Sequence, residues 1–247
     1  MRAQREQQGQ IDSRVLVNYR VELSVLRERL PAPFRPRSLH GYGVAGLDVF
    51  RLAARSRWSR RGDLLAVHRI EAVAQFGGQR IPGTYVLRCD VPPGLYVHPF
   101  GRFFPNVMHT ARLQWDTPEP DRYRLRMGRR NRPWLEVQAH AGQRFPFDSM
   151  MEDLETASAF FGASEAWFAP RFGLTLFEQR RWAFSPWQVH PMLIERLDAP
   201  FFRRVMRFPK GSYFFDHALI QHDLRYRLTA PVELIAPRPV RRLFRDS

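Results

Sequence analysis

Residues 82–113 hold the strongest pattern in the chain: two stretches of alternating apolar and polar side chains, separated by a loop rich in proline and glycine. In the first stretch, the residues on alternate positions are Tyr85, Leu87, Cys89 and Val91. In the second, they are Val107, His109, Ala111, Leu113 and Trp115. A period of two is typical of β-strands with one face turned towards a core. The pattern predicts two strands, with His109 on an inward face.

The same alternation recurs over residues 63–77, where His68 shares a face with Ile70, and Arg69 and Glu71 lie opposite. The Gly77-Gly78 turn makes this stretch an antiparallel neighbour of the next. Further strands are predicted up to residue 228, whereas helix signals are few. They cover residues 22–30, residues 149–162 after a capping-box pattern at Ser149, and residues 199–205. We expect a mainly β (β-rich α+β) fold, an antiparallel sheet curved into a closed barrel or cone with a few short peripheral helices.

The composition indicates one folded domain. Of the 247 residues, 44% are hydrophobic and 13% aromatic, which is ample for a packed core. We assign the domain to residues 15–236 and predict flexible basic tails at 1–14 and 237–247. No apolar run is long enough to span a bilayer, and residues 1–14 lack the apolar segment of a signal peptide. The lone Cys89 excludes an intramolecular disulfide, and a cytoplasmic location fits.

The chain is arginine-rich and strongly basic. Its formal net charge is +15, and only one of its 39 basic residues is a lysine, Lys210. Part of this bias matches the codon composition of a GC-rich genome, but the field would still attract nucleic acids, anionic surfaces and acidic metabolites. Residues 122–132 carry an arginine stripe, in which Tyr123 points away from the arginines. Because single-strand binders interleave exposed aromatic residues with such charges, the stripe argues against nucleic acid.

Motifs for bound cofactors and metals are missing from the sequence. There is no glycine-rich phosphate loop, no His-Glu-x-x-His and no Gly-x-Ser-x-Gly. His217 and His222 are five positions apart, which places them on opposite faces of a strand. We therefore predict no metal and no cofactor.

The motifs of the central stretch, in their order, resemble the acetoacetate decarboxylase superfamily. They are Gly83–Val86, Cys89-Asp90, Gly101-Arg102 and the Phe104-Pro105 pair. From about Val15 to Leu234 the chain is similar to an uncharacterised bacterial branch, domain of unknown function 2071. The features of that branch are Leu30-Pro31, Gly101–Pro105, Ser149, Phe160-Phe161 and Trp187. The resemblance implies the fold of the superfamily.

The residues that the superfamily uses for chemistry are mostly replaced. Its Schiff-base lysine would fall near Met108 or His109, its glutamate after Gly-Arg is Phe103, and its other acidic residue would fall near His68. Arg102 alone keeps its type. Without a lysine amine no imine with a keto acid can form, and Lys210 lies in a predicted exposed turn that offers no desolvation.

We expect Arg102, His109, His68 and Tyr85 to line one cavity that binds a small carboxylate-bearing molecule. A guanidinium suits a carboxylate, and either histidine could act as acid or base in catalysis. The alternatives are that both histidines are core residues, that the protein is a non-catalytic accessory protein, or that its arginine-rich face binds nucleic acid or anionic surfaces. Enzymatic activity stays open, and a homo-oligomer is compatible with the sequence.

Overall fold

The computed structural model describes residues 6–53, 63–93, 104–129, 132–172 and 175–236. Strands dominate these ranges and form one 15-stranded sheet. The strands are β1 (Gln7–Glu22), β2 (Phe34–Pro36), β3 (Ser38–Leu39), β4 (Tyr42–Leu52), β5 (Leu64–Phe76), β6 (Gln79–Val91), β7 (Met108–Thr110), β8 (Arg112–Asp116), β9 (Arg122–Arg129), β10 (Arg132–Ala141), β11 (Ala166–Phe172), β12 (Leu176–Ser185), β13 (His190–Asp198), β14 (Tyr213–Leu228) and β15 (Val232–Ile235). The helices are α1 (Leu23–Arg29), α2 (Leu154–Gly162) and α3 (Phe201–Arg204). The predicted mainly β class with a few short helices is confirmed.

The strand order brings distant parts of the chain together. It runs β15-β12-β11-β6-β5-β4-β1-β14-β13-β10-β9-β8, and β12 pairs a second time with β14. The pairings therefore make a circuit that leads from β14 through β1, β4, β5, β6, β11 and β12 back to β14. Most neighbours are antiparallel, including the predicted pair β5 and β6, whereas β6 runs parallel to β11 and to β7.

Strand β5 has two buried faces and so separates two compartments. Ile70 points to one and Arg69 to the other, and both residues are buried. We call these compartments the Ile70 side and the Arg69 side. The Ile70 side holds the larger apolar core, which includes Tyr19, Phe34, Tyr85, Phe168, Phe177, Phe201 and Phe202. The Arg69 side holds a second apolar cluster, which includes Phe50, Val86, Trp167, Trp182 and Tyr226. Burying each large apolar side chain contributes roughly 1.5–3 kcal/mol, so both compartments stabilise the fold.

One extra residue in β6 changes the faces predicted for that strand. Leu87 has no direct partner in β5 because the register shifts at this point. An extra residue reverses the alternation beyond it. Tyr85 therefore packs on the Ile70 side and Cys89 on the Arg69 side, and the prediction that they share a face is wrong.

Helix α2 begins later than the capping-box pattern predicted. Its N-cap is Asp153, whose carboxylate accepts from the backbone N–H of Thr156 at 2.7 Å. The Ser149 hydroxyl instead donates to Asp216 at 2.6 Å. The helix ends at Gly162, as predicted.

Residues 7–14, which the sequence assigned to a flexible tail, form the first part of β1. They pair with the far end of β14, from Gln7 opposite Leu228 onwards. Ile11, Ser13 and Arg14 of this segment are buried, so the segment is an integral part of the sheet. The predicted tail 237–247 lies outside the described residues. No helix in the described ranges is long and apolar enough to cross a bilayer.

Candidate functional site

The structure places three of the four predicted site residues. Arg102 lies outside the described residues, together with its neighbours Gly101 and Phe103. His68 is on the Ile70 side, where its ring stacks on Phe201 at a centroid distance of 3.6 Å and is 1% exposed. The predicted inward orientation of His68 agrees with this burial.

His68 belongs to a polar group with the buried Asp90 and the half-buried Arg88. Its Nε2 lies 3.2 Å from Oδ2 of Asp90. The Arg88 guanidinium donates hydrogen bonds to the same carboxylate, with Nε 2.9 Å from each oxygen and Nη2 2.7 Å from Oδ1. Burial would raise the pKa of Asp90, but the hydrogen bonds from His68 and Arg88 outweigh it and hold the pKa below its usual value.

The ionised Asp90 decides the tautomer of His68. A carboxylate only accepts, so His68 must donate from Nε2 and Nδ1 keeps its lone pair when the ring is neutral. Burial lowers the pKa of His68 and so favours the neutral ring, although Asp90 opposes this. Nδ1 is buried and has no hydrogen-bond partner in the described structure. A buried acceptor of this kind can take a proton or a hydrogen bond from a small molecule.

His109 lies next to this group, but its side chain is exposed. In the parallel pairing of β6 and β7, His109 stands opposite Asp90. Paired residues share a face, so His109 and His68 lie on one side of the sheet. Partial burial and the nearby Arg88 lower the pKa of His109. The expected inward orientation of His109 differs from its exposure because β7 spans only Met108–Thr110, where Met108 is the buried residue.

Tyr85 packs in an aromatic cluster. Its ring lies 4.9 Å from Phe34 and 6.4 Å from Phe177, measured between centroids. Burial raises the pKa of its phenol. Tyr85 therefore has the surroundings of a core residue, whereas His68 and His109 both adjoin Asp90.

A second polar group, which the sequence analysis did not single out, lies on the Arg69 side. Its centre is Asp48, which accepts from Nη2 of Arg14 at 2.5 Å and from Nε of Arg69 at 2.6 Å. Arg69 also donates to Glu71 at 2.9 Å. All four residues are at most 4% exposed, so their charges interact in a medium that screens them weakly. Four charged side chains this deep are costly unless they are paired, and here they pair with one another.

The two carboxyl groups of this cluster respond differently to burial. Burial would raise the pKa of Asp48, but two guanidiniums outweigh it and hold that pKa low. Burial raises the pKa of Glu71, because Arg69 and the Ser164 hydroxyl, which donates to Glu71 at 2.8 Å, offset it only in part. Asp48 is thus the fixed anion of the cluster, and Glu71 is the group that protonates more readily.

The space for Arg69 depends on a glycine. A β-carbon at Gly46 would lie 2.6 Å from the Val17 carbonyl oxygen and 3.2 Å from Nη1 of Arg69. Any larger residue would compete with the guanidinium for this volume.

A row of hydrogen bonds leads from Arg69 to the other end of the Arg69 side. Arg69 donates to Oδ1 of Asn18 at 2.7 Å, and Nδ2 of Asn18 lies 3.0 Å from Nε2 of His217. Nδ1 of His217 lies 2.6 Å from Asp216. Burial and Arg69 lower the pKa of His217, and Asp216 opposes them only in part.

A cavity of about 70 Å³ adjoins Arg14. Its polar wall is formed by Arg14, Ser164 and Glu165, and its apolar wall by Phe161, Gly162, Trp182, Phe184 and Trp187. The Arg14 guanidinium lies 4.4 Å from the Phe184 ring and 5.6 Å from the Trp187 ring. Among the described residues, three of its five N–H groups have acceptors, two on Asp48 and one on Gln221. Arg14 can therefore donate to a molecule in this cavity.

The sequence did contain a signal for this second group. Charged residues at positions 48, 69 and 71 interrupt otherwise apolar strands. We placed Arg69 and Glu71 opposite His68, which is correct, but an antiparallel sheet commonly has one solvated face and the pattern gave no reason to expect burial on both.

Acidic residues lie near three arginines of the stripe. Arg122 lies 3.4 Å from Glu195, Arg124 stands opposite Asp116, and Arg126 stands opposite Glu136 in the neighbouring strand.

In the described part of the chain, no group of three or more metal-binding side chains could hold a metal ion.

Comparison with known proteins extends this description. No family model matches the chain, and no curated protein matches it in sequence. Solved structures do match. An acetoacetate decarboxylase-like enzyme from Sphingomonas wittichii aligns with a TM-score of 0.59 at 12% identity, covering 94% of this chain and 93% of that one.

Two further solved structures align with the chain over a similar share of its length. The acetoacetate decarboxylase of Legionella pneumophila has a TM-score of 0.56 at 10% identity, and the alignment covers 93% of this chain and 87% of that one. The enduracididine biosynthesis enzyme MppR complexed with pyruvate has a TM-score of 0.55 at 12% identity, with 92% and 89% covered. Each alignment spans nearly the whole chain, although the sequences have diverged widely. The chain therefore has the acetoacetate decarboxylase-like fold.

Proposed function

We propose that the protein binds a small carboxylate-bearing molecule beside Arg14 on the Arg69 side. We further propose that the circuit of strands from β14 back to β14 closes as a barrel around this compartment. The observation that carries the proposal is the position of Arg14: a buried guanidinium with unused N–H groups that forms the wall of a cavity. Guanidinium groups bind carboxylates through paired hydrogen bonds.

The local charges favour an anion. Arg37 is also nearby, since its Nη1 donates to the hydroxyl of the wall residue Ser164 at 3.0 Å. Arg14, Arg37 and Arg69 are three cations, against the two anions Asp48 and Glu71. The other ions nearby balance one another, since buried Arg180 bonds Glu178 and Glu165 pairs with Arg181. The surplus positive charge is largest when Glu71 is protonated. Burial also lowers the pKa of Arg14, so an anion in the cavity would stabilise its charged form.

The cavity suits a short molecule. A volume of about 70 Å³ holds on the order of five water molecules, and so a ligand of similar size. The aromatic wall of Trp182, Phe184 and Trp187 would cover its apolar part. The pyruvate that MppR binds is a molecule of this class.

We propose that no lysine Schiff base takes part. The single lysine, Lys210, is exposed in a turn that a hydrogen bond from Ser212 N to Pro209 O closes. No other amine side chain exists in the sequence. Whether the bound molecule reacts therefore depends on acid–base groups, for which Glu165 in the cavity wall and Glu71, bonded to the wall residue Ser164, are the candidates on this side.

The predicted group of Arg102, His109, His68 and Tyr85 is a second proposed position for the ligand. It is supported by the unpartnered Nδ1 of His68 and by the closeness of His109 to Asp90. We also infer membership of the branch called domain of unknown function 2071, on the sequence motifs that resemble it.

Calorimetric titration with formate and with pyruvate tests the proposal. We expect both anions to bind the wild type, and Arg14→Met to weaken binding at least about tenfold, since one charge-assisted contact contributes roughly 1.5–3 kcal/mol. Arg51→Met is the matched control, because in the described part of the chain Arg51 pairs with the half-buried Asp12 at 3.8 Å and does not line this cavity. Binding that survives Arg14→Met but is lost in His68→Gln would move the ligand to the second position. No binding of either anion by the folded wild type would contradict the proposal.

A further inference from the structure

The hydrogen bonds between Arg69 and Asp216 all run in one direction. A guanidinium can only donate, so the Asn18 atom 2.7 Å from Nη2 of Arg69 is the amide oxygen. The amide nitrogen of Asn18 must then donate to Nε2 of His217, at 3.0 Å. Nε2 of His217 therefore offers a lone pair.

The proton of His217 is on its other nitrogen. Nδ1 lies 2.6 Å from Oδ2 of Asp216, which also accepts from the Ser149 hydroxyl at 2.6 Å. The second oxygen of Asp216 accepts from Met150 N at 3.0 Å. Asp216 is thus an ionised acceptor, and His217 is neutral with its proton on Nδ1.

We propose that His217 is a positioning residue, which holds Arg69 and thereby the Arg14 cavity in order only while its ring is neutral. This inference rests on the proposed function, because it names a regulation of the same anion site. The residue touches neither Arg14 nor the cavity. It acts through Asn18, whose amide can satisfy Arg69 and His217 together in one orientation only.

Protonation of His217 breaks this arrangement. A proton on Nε2 would face the N–H of the Asn18 amide, and two donors cannot bond. If the amide turns over to offer its oxygen to His217, its nitrogen then faces Nη2 of Arg69, again donor to donor. In either orientation one buried donor loses its partner, which costs roughly 1–3 kcal/mol.

A displacement of Arg69 affects the cavity through Asp48. Arg69 and Arg14 bind the two oxygens of this carboxylate, so a displaced Arg69 changes the acceptor that orients Arg14. We expect the anion affinity of the cavity to fall as His217 becomes protonated.

Groups from several elements face the His217 ring. Asp216 on its own strand favours protonation, and the Ser149 hydroxyl lies 3.4 Å from Nδ1. Arg69 on β5 opposes protonation, as does burial against the rings of Phe145 and Phe161 at 5.1 and 5.7 Å. Arg20, 3.6 Å from Asp216, partly neutralises that carboxylate and so reduces its stabilisation of protonated His217. The ring is therefore neutral at neutral pH, and acidification is the trigger.

The test follows His217 and Arg69 by nitrogen NMR from about pH 8 to about pH 5, the range in which a histidine titrates. We expect the Nδ1–H tautomer at the upper end, and the Arg69 guanidinium signals to shift as His217 protonates. Formate affinity, measured in parallel, should fall about tenfold, which is typical of coupled sites. In Asn18→Asp, whose carboxylate accepts from both neighbours, Arg69 should stay in place when His217 is protonated, and formate affinity should persist.

His190→Gln is the control, since His190 is an exposed histidine of β13 and should leave the pH profile unchanged. Three results would overturn the inference: a His217 ring that is doubly protonated at neutral pH, a ring that is still neutral at about pH 5, or a titration of His217 that leaves the Arg69 signals unchanged. If formate binds at no pH, the proposed function fails, while the NMR signals still decide whether His217 controls Arg69.

Discussion

A β-carbon added to Gly46 would lie 3.2 Å from Nη1 of Arg69, so the guanidinium occupies space that a side chain on β4 would otherwise take. Strand β4 thus contributes both Asp48, the acceptor for Arg69, and the gap into which Arg69 fits. The two contributions are two residues apart, on the same face of one strand.

Gly46→Ala should destabilise the protein by about 1–3 kcal/mol, as overpacking of a core does, because the new methyl would also lie 2.6 Å from the Val17 carbonyl oxygen. Urea denaturation gives the change in the free energy of unfolding. Ala45→Gly, on the opposite face, measures the difference in strand propensity between alanine and glycine in β4, which by itself would make Gly46→Ala stabilising. An unchanged midpoint for Gly46→Ala would show that β4 can move away from Arg69.

Asp48→Asn should destabilise by about 3–5 kcal/mol, because it leaves two buried guanidiniums with a neutral partner. Asp12→Asn is the matched control: its pair with Arg51 is exposed, and we expect a change below about 1 kcal/mol. The folded-state pKa of Asp48 is lowered, so its contribution is complete above the unfolded value of about 3.9 and is lost as pH falls below it. Equal effects of the two substitutions on the free energy of unfolding would contradict the structure.

The buried His68 predicts a loss of stability on mild acidification. Its folded pKa lies below the unfolded value of about 6.5, so between the two values the unfolded chain binds the proton and the folded chain does not. Stability is therefore complete above about pH 6.5 and decreases by about 1.4 kcal/mol for each pH unit below it, until the folded pKa is reached. His68→Gln should reduce this pH dependence in denaturant unfolding at pH values either side of about 6.5, whereas His190→Gln should not. A wild-type stability that does not change over this range would argue that the pKa of His68 is the same in the folded and the unfolded chain.

Borohydride treatment in the presence of acetoacetate or pyruvate should leave the mass of the protein unchanged. The only lysine, Lys210, is exposed in a turn and lies outside both buried compartments, so no pocket encloses its amine beside a bound keto acid. Intact-mass spectrometry makes the measurement, and Lys210→Arg provides a chain without any lysine amine. A reduced adduct mapped to Lys210 in the wild type, and missing from Lys210→Arg, would restore Schiff-base chemistry.

Alternation along the chain was enough to predict the mainly β class, the antiparallel β5–β6 pair and the burial of His68. These features depend on residues close in sequence, for which the period of two is a direct physical signal. The bulge at Leu87 could not be predicted from this alternation, because a bulge depends on the partner strand and leaves the local pattern of β6 unchanged.

The candidate site was predicted less well than the fold. The pattern along β5 correctly put Arg69 and Glu71 opposite His68, but burial of that face depends on strands far along the chain, including β12 and β14. Asp48 and Arg14 join the cluster only through such pairings, and charged residues are almost never fully buried unless paired. Arg14 was therefore assigned to a flexible tail, and Asp48 was not among the predicted site residues.

The double burial of β5 also limits how the gene can change length. A shift of one residue moves every later side chain of a strand to the opposite face of the sheet. Removing one codon within β5, ahead of these residues, would therefore place Arg69 among the phenylalanines of the Ile70 side and Ile70 among the guanidiniums of the Arg69 side. Neither compartment could accept the exchange. Insertions and deletions among descendants of this sequence should therefore accumulate at the turns between strands, such as Gly77-Gly78, and be purged from the interior of β5.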